Sequence, residues 1–311
     1  MQTTTTPAYL SRERQVSWRK RAFFRKKVVP WLFVLPILTI NVVVVLGPAL
    51  SAGYYALTDW SGIGSANFIG LDNFRRIITE DSSYRGAFVN NLLWLCMFLT
   101  VPIAMALVGA SVLAPVRRGA LFFRMTLFVP YVLPSVIVAN LWRSLLDPDR
   151  GIIGWLNDRG VPGTDIALLG RQSTVLPTIA FIDNWHWWGF LMVLFLAAMQ
   201  NIPPDLYEAA RLDGANRWNE FRDVTLPGIR PVLVFMILMT GIWSFLTFDY
   251  IWILTQGGPA GASEVLSILV YKNAFQTFQA GYASAIGLTM SFFVGIIICI
   301  FIVLRRRGWE I

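Results

Sequence analysis

The side chains best suited to chemistry lie in two apolar stretches of the sequence. Residues three, four and seven positions apart share one face of a helix, so each stretch presents aromatic rings beside hydrogen-bonding groups. Aromatic rings cover the C–H faces of a sugar, while carboxylates, amides and hydroxyls bond to its hydroxyl groups. Both faces are therefore candidates for binding a polyhydroxylated solute. The first stretch carries Asp183, Asn184, Trp187 and Phe190, and the second carries Thr240, Trp243, Ser244, Thr247 and Asp249.

The same two faces also allow a purely structural interpretation. Trp185, Trp188 and Tyr250 are of the residue types that anchor helices at a membrane surface. Ser and Thr hydroxyls often bond between neighbouring membrane helices. His186, by itself, is interpreted as structural. The binding and the structural interpretations stay open at this point.

The sequence carries no recognisable catalytic or metal site. Asp183 and His186 lie three positions apart without a nucleophile or a second carboxylate, which makes an intramembrane enzyme a poor interpretation. His186 is the only histidine, and Cys96 and Cys299 lie in apolar runs without a CxxC spacing. No Gly-Lys pair occurs, which excludes a phosphate-binding loop. We expect no catalytic residue, metal or cofactor in this chain.

Composition and length indicate an integral membrane protein. Of the 311 residues, 56% are hydrophobic and 14% are charged, a balance too apolar for an ordinary soluble domain. The first apolar segment is longer than the core of a signal peptide and lacks a small-residue cleavage site, so we expect it to stay as an anchor. The predicted fold is an all-α membrane protein whose six transmembrane helices form one domain, 30–304. Each helix needs on the order of 20 apolar residues, and the predicted spans are about 30–57, 87–114, 121–146, 174–200, 231–254 and 283–304.

The basic residues predict the orientation of these helices. Lys and Arg are concentrated in the tail 1–29, at Arg117 and Arg118, in the loop 201–230 and in the tail 305–311. By the positive-inside rule, these segments lie in the cytoplasm. A basic arm for nucleic acid is the alternative, but orientation and lipid head groups explain a charge run beside a membrane helix. We therefore expect no nucleic-acid partner.

The cytoplasmic loop is predicted to form a polar hairpin of two short helices. The first is expected over 206–212, after a Pro-Pro pair that stops the preceding helix. Asp213-Gly214 provides the turn, since glycine adopts a left-handed backbone without steric cost. The second helix is expected over 217–224, ending before Pro227. Its apolar stripe consists of Trp218, Phe221 and Val224.

Small residues and charges in this hairpin suit close docking of another surface. Alanines at 209, 210 and 215 leave space for a partner, while Glu208 and Asp213 offer charged contacts. A solvated loop is one alternative. A DNA-reading helix-turn-helix is another, but the hairpin holds more acidic than basic residues and would not attract phosphates.

The hairpin contains a motif that resembles one of a known transporter family. The segments Glu208-Ala209-Ala210, Asp213-Gly214-Ala215, Phe221 and Leu226-Pro227 resemble the EAA motif of the permease subunits of ATP-binding-cassette importers. Segments 68–74, 128–130 and 255–259 resemble the carbohydrate-uptake branch, in particular the first of its two paired permeases, of the maltose-permease type. The resemblance extends over about residues 30–307.

The resemblance implies a type I importer permease fold in a bacterial plasma membrane, with lipid around it. It implies a homologous second permease and a cytoplasmic ATPase dimer that binds ATP and Mg²⁺. It also implies an extracytoplasmic solute-binding protein that docks at the outer loops, with Gly257, Gly258 and Pro259 as candidate contacts. A sugar or oligosaccharide would then cross by alternating access. The implied ATPase-coupling residues are Glu208, Ala209, Ala210, Asp213, Gly214, Ala215, Phe221 and Pro227.

Other modes of transport remain open from the sequence. An ion-driven secondary transporter would need no ATPase partner. A related permease would carry a polyol or glycerol phosphate instead of a sugar. The carboxylates of Asp183 and Asp249 argue against an anionic substrate.

Overall fold

The computed structural model covers the transmembrane region and leaves out most of the two tails. Predictions for the basic N-terminal tail up to residue 25, for residues 27 and 28, for Arg117 and for residues 307–311 lie outside the described residues. The chain forms two compact units that divide between Tyr54 and Tyr55. The described residues are 26, 29–116, 118–162, 164 and 166–306.

The first unit contains all but the last residue of one long apolar helix, α1, over Pro30–Tyr55. Its 26 residues correspond to about 39 Å at 1.5 Å per residue, enough to cross a hydrocarbon core about 30 Å thick. No charged residue occurs in it. A widened, π-helical turn over Val42–Leu46 interrupts its regular hydrogen bonding, and the backbone N–H of Gly47 donates to the Val42 carbonyl there.

Helices joined by irregular loops make up the second unit in the part of the chain that the structure describes. Between described residues, the one extended pairing is an isolated antiparallel bridge from Thr58 to Phe68. The predicted all-α fold class is therefore confirmed. In chain order the helices are α2 (Asp72–Thr79), α3 (Ser82–Leu113), α4 (Ala120–Val132), α5 (Ser135–Leu145), α6 (Ile152–Asn157), α7 (Gln172–Gln200), α8 (Pro204–Leu212), α9 (Arg217–Glu220), α10 (Arg230–Leu246), α11 (Asp249–Leu254), α12 (Leu266–Phe275) and α13 (Ala280–Arg306).

Within the part of the chain that the structure describes, five helical segments are long and apolar enough to cross a membrane. They are α1, α3, α7, the α10–α11 pair over Arg230–Leu254, and α13. Among the described residues, a sixth span arises if α4 and α5, bent by 95° at their junction, count as one. With that pair, the count reaches the six spans predicted from the sequence.

The predicted span 121–146 is not one continuous helix, which corrects the expectation from hydropathy. α4 ends at Val132 and α5 begins at Ser135, while Leu133 and Pro134 are extended, each with ψ 138°. Proline disfavours helical backbone at the residue before it and has no N–H to donate. The helix therefore breaks at this Leu-Pro step.

The predicted span 231–254 is broken as well, between α10 and α11. Thr247 is extended with ψ 130°, and Phe248 takes φ −144°. The hydroxyl of Ser267, on α12, donates a hydrogen bond to the Thr247 carbonyl. This bond satisfies a backbone group that the interrupted helix leaves unpaired.

The core of the second unit is organised around α7. This helix packs mainly on α3 and α4 and buries Leu191, Met192 and Phe195 completely. Gly189 permits the closest approach, because an added Cβ would lie 2.0 Å from the carbonyl oxygen of Leu127 on α4. Lipid tails are as apolar as these side chains, so close packing rather than transfer from water holds the helices together.

We expect Gly189→Ala to lower the thermal stability, because its Cβ would overlap the Leu127 carbonyl. Overpacking of this kind costs about 1–3 kcal/mol, which corresponds to a fall in Tm of roughly 3 °C or more. Gly287→Ala on α13 is the matched control, since a Cβ there meets nothing within 4 Å. Thermal denaturation in detergent measures both variants, and equal Tm values would contradict the tight α4–α7 contact.

Candidate solute site and docking hairpin

A cavity of about 350 Å³ lies where α3, α7 and α10 meet the two helix breaks. This volume falls within the range of about 300–1,000 Å³ that is typical of small-molecule sites. Aromatic side chains supply much of the wall, and hydroxyls and carboxylates are placed between them. The lining residues are Trp94, Phe98, Tyr131, Ser135, Asp183, His186, Trp187, Thr240, Trp243, Leu246, Thr247, Phe248, Asp249 and Tyr250.

The helix breaks bring polar groups to this cavity. Ser135, the first residue of α5, donates its hydroxyl to Oδ2 of Asp249 at 3.1 Å. His186 Nε2 lies 3.0 Å from the carbonyl oxygen of Leu133, at the break itself. Irregular backbone at membrane depth is tolerated only where protein buries it or where it lines a cavity. The break between α4 and α5 is thus tied to α7 and α11 through side chains of the cavity wall.

Aromatic rings on α4, α7 and α10 form a continuous platform. The rings of Trp187 and Trp243 meet edge to face, with centroids 4.6 Å apart and planes at 78°. Tyr131 lies 5.6 Å from Trp187 and stacks on Phe190 at 4.6 Å. Perpendicular and stacked ring pairs of this kind are favourable geometries and hold the side chains in place. The platform offers flat apolar surfaces of the kind that cover sugar rings.

Several polar atoms of the cavity wall have no protein partner. Within the described residues, Trp94 Nε1, Trp187 Nε1, Thr240 Oγ1 and the Tyr250 hydroxyl are buried and form no hydrogen bond. The Asp183 carboxylate likewise has no hydrogen bond and no ion pair in the described part of the chain. An unsatisfied buried polar group costs about 1–3 kcal/mol, and native structures leave few of them. Their concentration at one cavity indicates a site for a polar solute.

The structure gathers most of the residues that the sequence singled out for binding. Six of them line one cavity although they come from separate helices: Asp183, Trp187, Thr240, Trp243, Thr247 and Asp249. The other three lie outside its wall. Asn184 is buried, Phe190 stacks behind Tyr131, and the Ser244 hydroxyl donates to the Gly241 carbonyl at 2.8 Å. A role in binding stays a prediction for all nine.

Some residues of the cavity wall were not predicted from the sequence. Trp94 and Phe98 belong to an apolar helix with no sequence signal for a site, and Tyr131 precedes a break that hydropathy did not indicate. His186 and Tyr250, interpreted as structural or as a membrane anchor, also line the cavity. Pro134 was the available signal, because a proline inside a predicted span indicates a break.

The cytoplasmic hairpin is formed by α8, a tight turn and α9. Gly214 takes φ 83° at the turn, and an added Cβ would meet nothing within 4 Å, so backbone conformation alone requires glycine. The turn is closed by backbone bonds from the Asp213 N–H to the Ala209 carbonyl at 3.0 Å and from the Ala215 N–H to the Ala210 carbonyl at 2.9 Å. The observed turn lies where Asp213-Gly214 was predicted to place it.

Two side-chain contacts join the arms of the hairpin. Arg211 Nε donates to Oε1 of Glu220 at 2.6 Å, and this hydrogen bond raises the pKa of Arg211. The Tyr207 hydroxyl lies 3.0 Å from Oγ1 of Thr225, which is buried. The exposed ion pair contributes little to stability. Together with the backbone turn, the two contacts keep the arms in one arrangement.

The second arm is longer than predicted. α9 continues through a widened turn over Phe221–Thr225 and a last turn over Leu226–Gly228. The expectation that helix ends before Pro227 is therefore wrong, because proline fits the first turn of a helical segment, where its missing N–H costs nothing. The predicted stripe also divides: Trp218 is exposed, whereas Phe221 and Val224 are half-buried.

The hairpin presents a mixed polar and apolar surface. Glu208, Ala209, Asp213 and Gly214 are exposed, and Ala210, Ala215 and Phe221 are half-buried. Large apolar side chains are exposed beside them: 52% of Leu206, 90% of Leu212 and 65% of Trp218. Exposed aliphatic and indole groups rimmed by charge are typical of a protein-binding surface.

The loop that follows α11 is internally bonded. Gly257 is buried, has φ 89°, and lies beside the ion pair of Glu264 and Lys272, whose N–O distance is 2.5 Å. The Ser263 hydroxyl donates to the Gly258 carbonyl at 2.7 Å. Gly257 therefore has a structural role in this loop. Contact of Gly257, Gly258 and Pro259 with a binding protein stays a prediction.

Residues 100–307 match the family model described as the inner membrane component of binding-protein-dependent transport systems. The chain belongs to this family. The permease resemblance drawn from the sequence is thereby confirmed at the level of the family. This binding-protein-dependent permease is a multi-pass membrane protein and a transport subunit, and the family offers no support for the ion-driven alternative.

Two relatives and one solved structure illustrate the similarity. The probable ABC transporter permease protein YurN of Bacillus subtilis is 34% identical over 84% of this chain and 90% of its own length. The diacetylchitobiose uptake system permease protein NgcF of Streptomyces coelicolor is 36% identical over 82% and 75%. A bacterial alginate ABC transporter, solved with an alginate pentasaccharide-bound periplasmic protein, matches with a TM-score of 0.81 at 22% identity, covering 92% of this chain and 97% of that one.

We expect Thr240→Val in this permease to weaken solute binding without destabilising the protein. The Thr240 hydroxyl has no protein partner, so an isosteric valine loses no internal hydrogen bond. The affinity for the solute falls about tenfold, because valine cannot form the hydrogen bond that the Thr240 hydroxyl offers to the solute. Ser244→Ala, one turn further on α10, is the control, because its hydroxyl bonds to the Gly241 backbone outside the cavity wall. Equal solute affinity for the two variants in calorimetry would contradict this assignment of Thr240.

Proposed function

We propose that the chain is one permease of a pair in an ATP-driven importer that carries a sugar or oligosaccharide across a bacterial plasma membrane. The observation that carries this proposal is the cavity, where an aromatic platform is combined with unpartnered donors and acceptors. A relative named as a diacetylchitobiose permease supports a carbohydrate cargo.

The cavity wall provides each type of contact that a sugar requires. Trp187 and Trp243 offer ring surfaces for the C–H faces, and Trp94 Nε1 and the Thr240 hydroxyl offer hydrogen-bond donors. The Asp183 carboxylate accepts bonds from sugar hydroxyls. The six predicted residues of the wall are therefore assigned to binding, while Asn184, Phe190 and Ser244 are assigned to supporting the wall.

The hairpin connects the cavity to an external source of energy. ATP and Mg²⁺ bind to a separate ATPase dimer, and this chain offers the hairpin as its docking element. α7 leads directly into the hairpin and α10 leads directly out of it, and both helices line the cavity. At the base, Gly228 packs on Ile202, since an added Cβ would lie 2.6 Å from Cδ1 of Ile202. A rigid displacement of the hairpin is thus transmitted to two walls of the site.

Alternating access follows from this connection. Rigid-body movement of α7 and α10 opens the cavity to one side and closes it to the other, and the two helix breaks serve as hinges. A homologous second permease completes the translocation path. An extracytoplasmic binding protein delivers the cargo at the loops that contain α2, α6 and α12, a partner for which the family description provides the support.

Gly214→Val and Glu208→Lys are expected to leave the protein in the membrane but to reduce transport more than tenfold. A β-branched residue is strained by about 1–3 kcal/mol at φ 83°, and the lysine reverses the charge of the docking surface. Gly119→Val and Arg118→Glu are matched controls outside the hairpin and the outer loops. Gly119 has φ 74°, with Phe123 3.7 Å from an added Cβ, and Arg118 is an exposed charge. Uptake by vesicles and co-purified ATPase are measured together; normal uptake with the ATPase bound contradicts the coupling role.

The cargo class is tested with the complete transporter in proteoliposomes. Delivered by the binding protein, a carbohydrate is expected to stimulate ATP hydrolysis several-fold and to accumulate inside. Polyols and glycerol phosphate, presented in the same way, are expected to do neither. Stimulation by one of these solutes and by no carbohydrate would overturn the proposed cargo.

A further inference from the structure

The described wall of the cavity holds two carboxylic acid side chains. Asp183 on α7 and Asp249 at the start of α11 both line the cavity, and no Lys or Arg is present among its described lining residues. The two carboxylates are close enough to interact electrostatically, and both interact with the hydroxyl of Tyr250. Two acidic side chains from different helices thus converge on one small site.

The two carboxylates differ in their protein contacts. Asp249 accepts a hydrogen bond from Ser135, which leaves its other oxygen free of side-chain donors in the described part of the chain. Asp183 has neither a hydrogen bond nor an ion pair among the described residues. Ionisable groups inside a membrane protein are costly and are retained where they serve a function. These acceptors are available to a solute that brings donors.

We propose that Asp183 and Asp249 make this cavity reject acidic sugars and accept sugars that carry only hydroxyl, amide or amino groups. The inference rests on the proposed function and specifies its cargo. A uronate or phosphorylated sugar would place a further negative charge beside these acidic groups without a counter-charge. A hydroxyl donates to either carboxylate, and an ammonium group also supplies the missing positive charge.

The repulsion between like charges at the cavity wall is strong enough for this selection. The negative group of an acidic sugar would repel a wall carboxylate about 4 Å away. At an effective dielectric constant of about 20, this repulsion lowers the affinity more than tenfold. Juxtaposed like charges are a general means of suppressing wrong partners. The donors of the wall, at Trp94, Trp187, Thr240 and Tyr250, are neutral and supply no counter-charge for an acidic sugar.

The test compares three disaccharides, of which the first is positively charged, the second neutral and the third negatively charged. Diglucosamine, diacetylchitobiose and digalacturonate are titrated by calorimetry into the complete transporter in lipid nanodiscs. The binding protein is omitted, so its own selectivity does not enter. We expect digalacturonate to bind at least tenfold more weakly than diacetylchitobiose and diglucosamine to bind most tightly. In the variant with both Asp183→Asn and Asp249→Asn, the three Kd values converge to within about threefold.

Controls separate this inference from the proposed function. Asp158→Asn removes an exposed carboxylate from the loop after α6 and leaves the ratio of the digalacturonate Kd to the diacetylchitobiose Kd at its wild-type value. Asp183→Asn alone lowers the ratio of the digalacturonate Kd to the diacetylchitobiose Kd. This single variant serves as the test if the double variant does not assemble into a transporter. Equal affinity of the wild type for all three sugars, or an unchanged ratio in the variants, overturns the inference while carbohydrate binding stands. Absence of binding by every carbohydrate tested overturns the proposed function itself.

Discussion

Backbone N–H and C=O groups cannot remain without hydrogen bonds in hydrocarbon. This constraint limits the positions at which the membrane helices of this protein can be broken. Two spans break, at Leu133-Pro134 and at Thr247-Phe248, and each break is provided with a partner from another helix. His186 reaches the Leu133 carbonyl, and Ser267 reaches the Thr247 carbonyl. Both breaks lie at the same cavity, because only a protein-lined space tolerates irregular backbone at that depth. The polar cavity therefore lies beside the two helix breaks.

The same two helices connect the cavity with the cytoplasmic hairpin. α7 and α10 each carry residues of the cavity wall. The C-terminal end of α7 leads into the hairpin, and the N-terminal end of α10 leads out of it. The hairpin holds its shape through the Gly214 turn and the Tyr207–Thr225 contact more than through the exposed Arg211–Glu220 pair, since surface ion pairs contribute little. Gly228 packs closely on Ile202, which lies two residues beyond the end of α7. Transmission thus depends on backbone geometry and small residues.

Much of the fold was predictable because its signals are local. Long apolar runs predict helices that satisfy their own backbone in lipid, and the Asp213-Gly214 step predicts a turn that glycine alone adopts without strain. The breaks at residues 133 and 247 were missed, since averaged hydropathy does not register where a helix changes direction. The second arm of the hairpin was expected to end too early, because Pro227 was interpreted as a stop when it begins a short helical segment.

For the site, periodicity placed Asp183 with Trp187 on one face and Thr240 with Trp243 on another, because spacing along a helix determines which side chains share a side. By itself the sequence also determined that the chain spans a membrane and carries an exposed polar hairpin. Only the tertiary structure decided that both faces meet at one cavity, that Trp94, Tyr131 and His186 join them, and that Ser244 does not. The reason is that contacts between helices depend on where glycines allow close approach and where breaks turn the chain, and neither is encoded in the periodicity of a single helix.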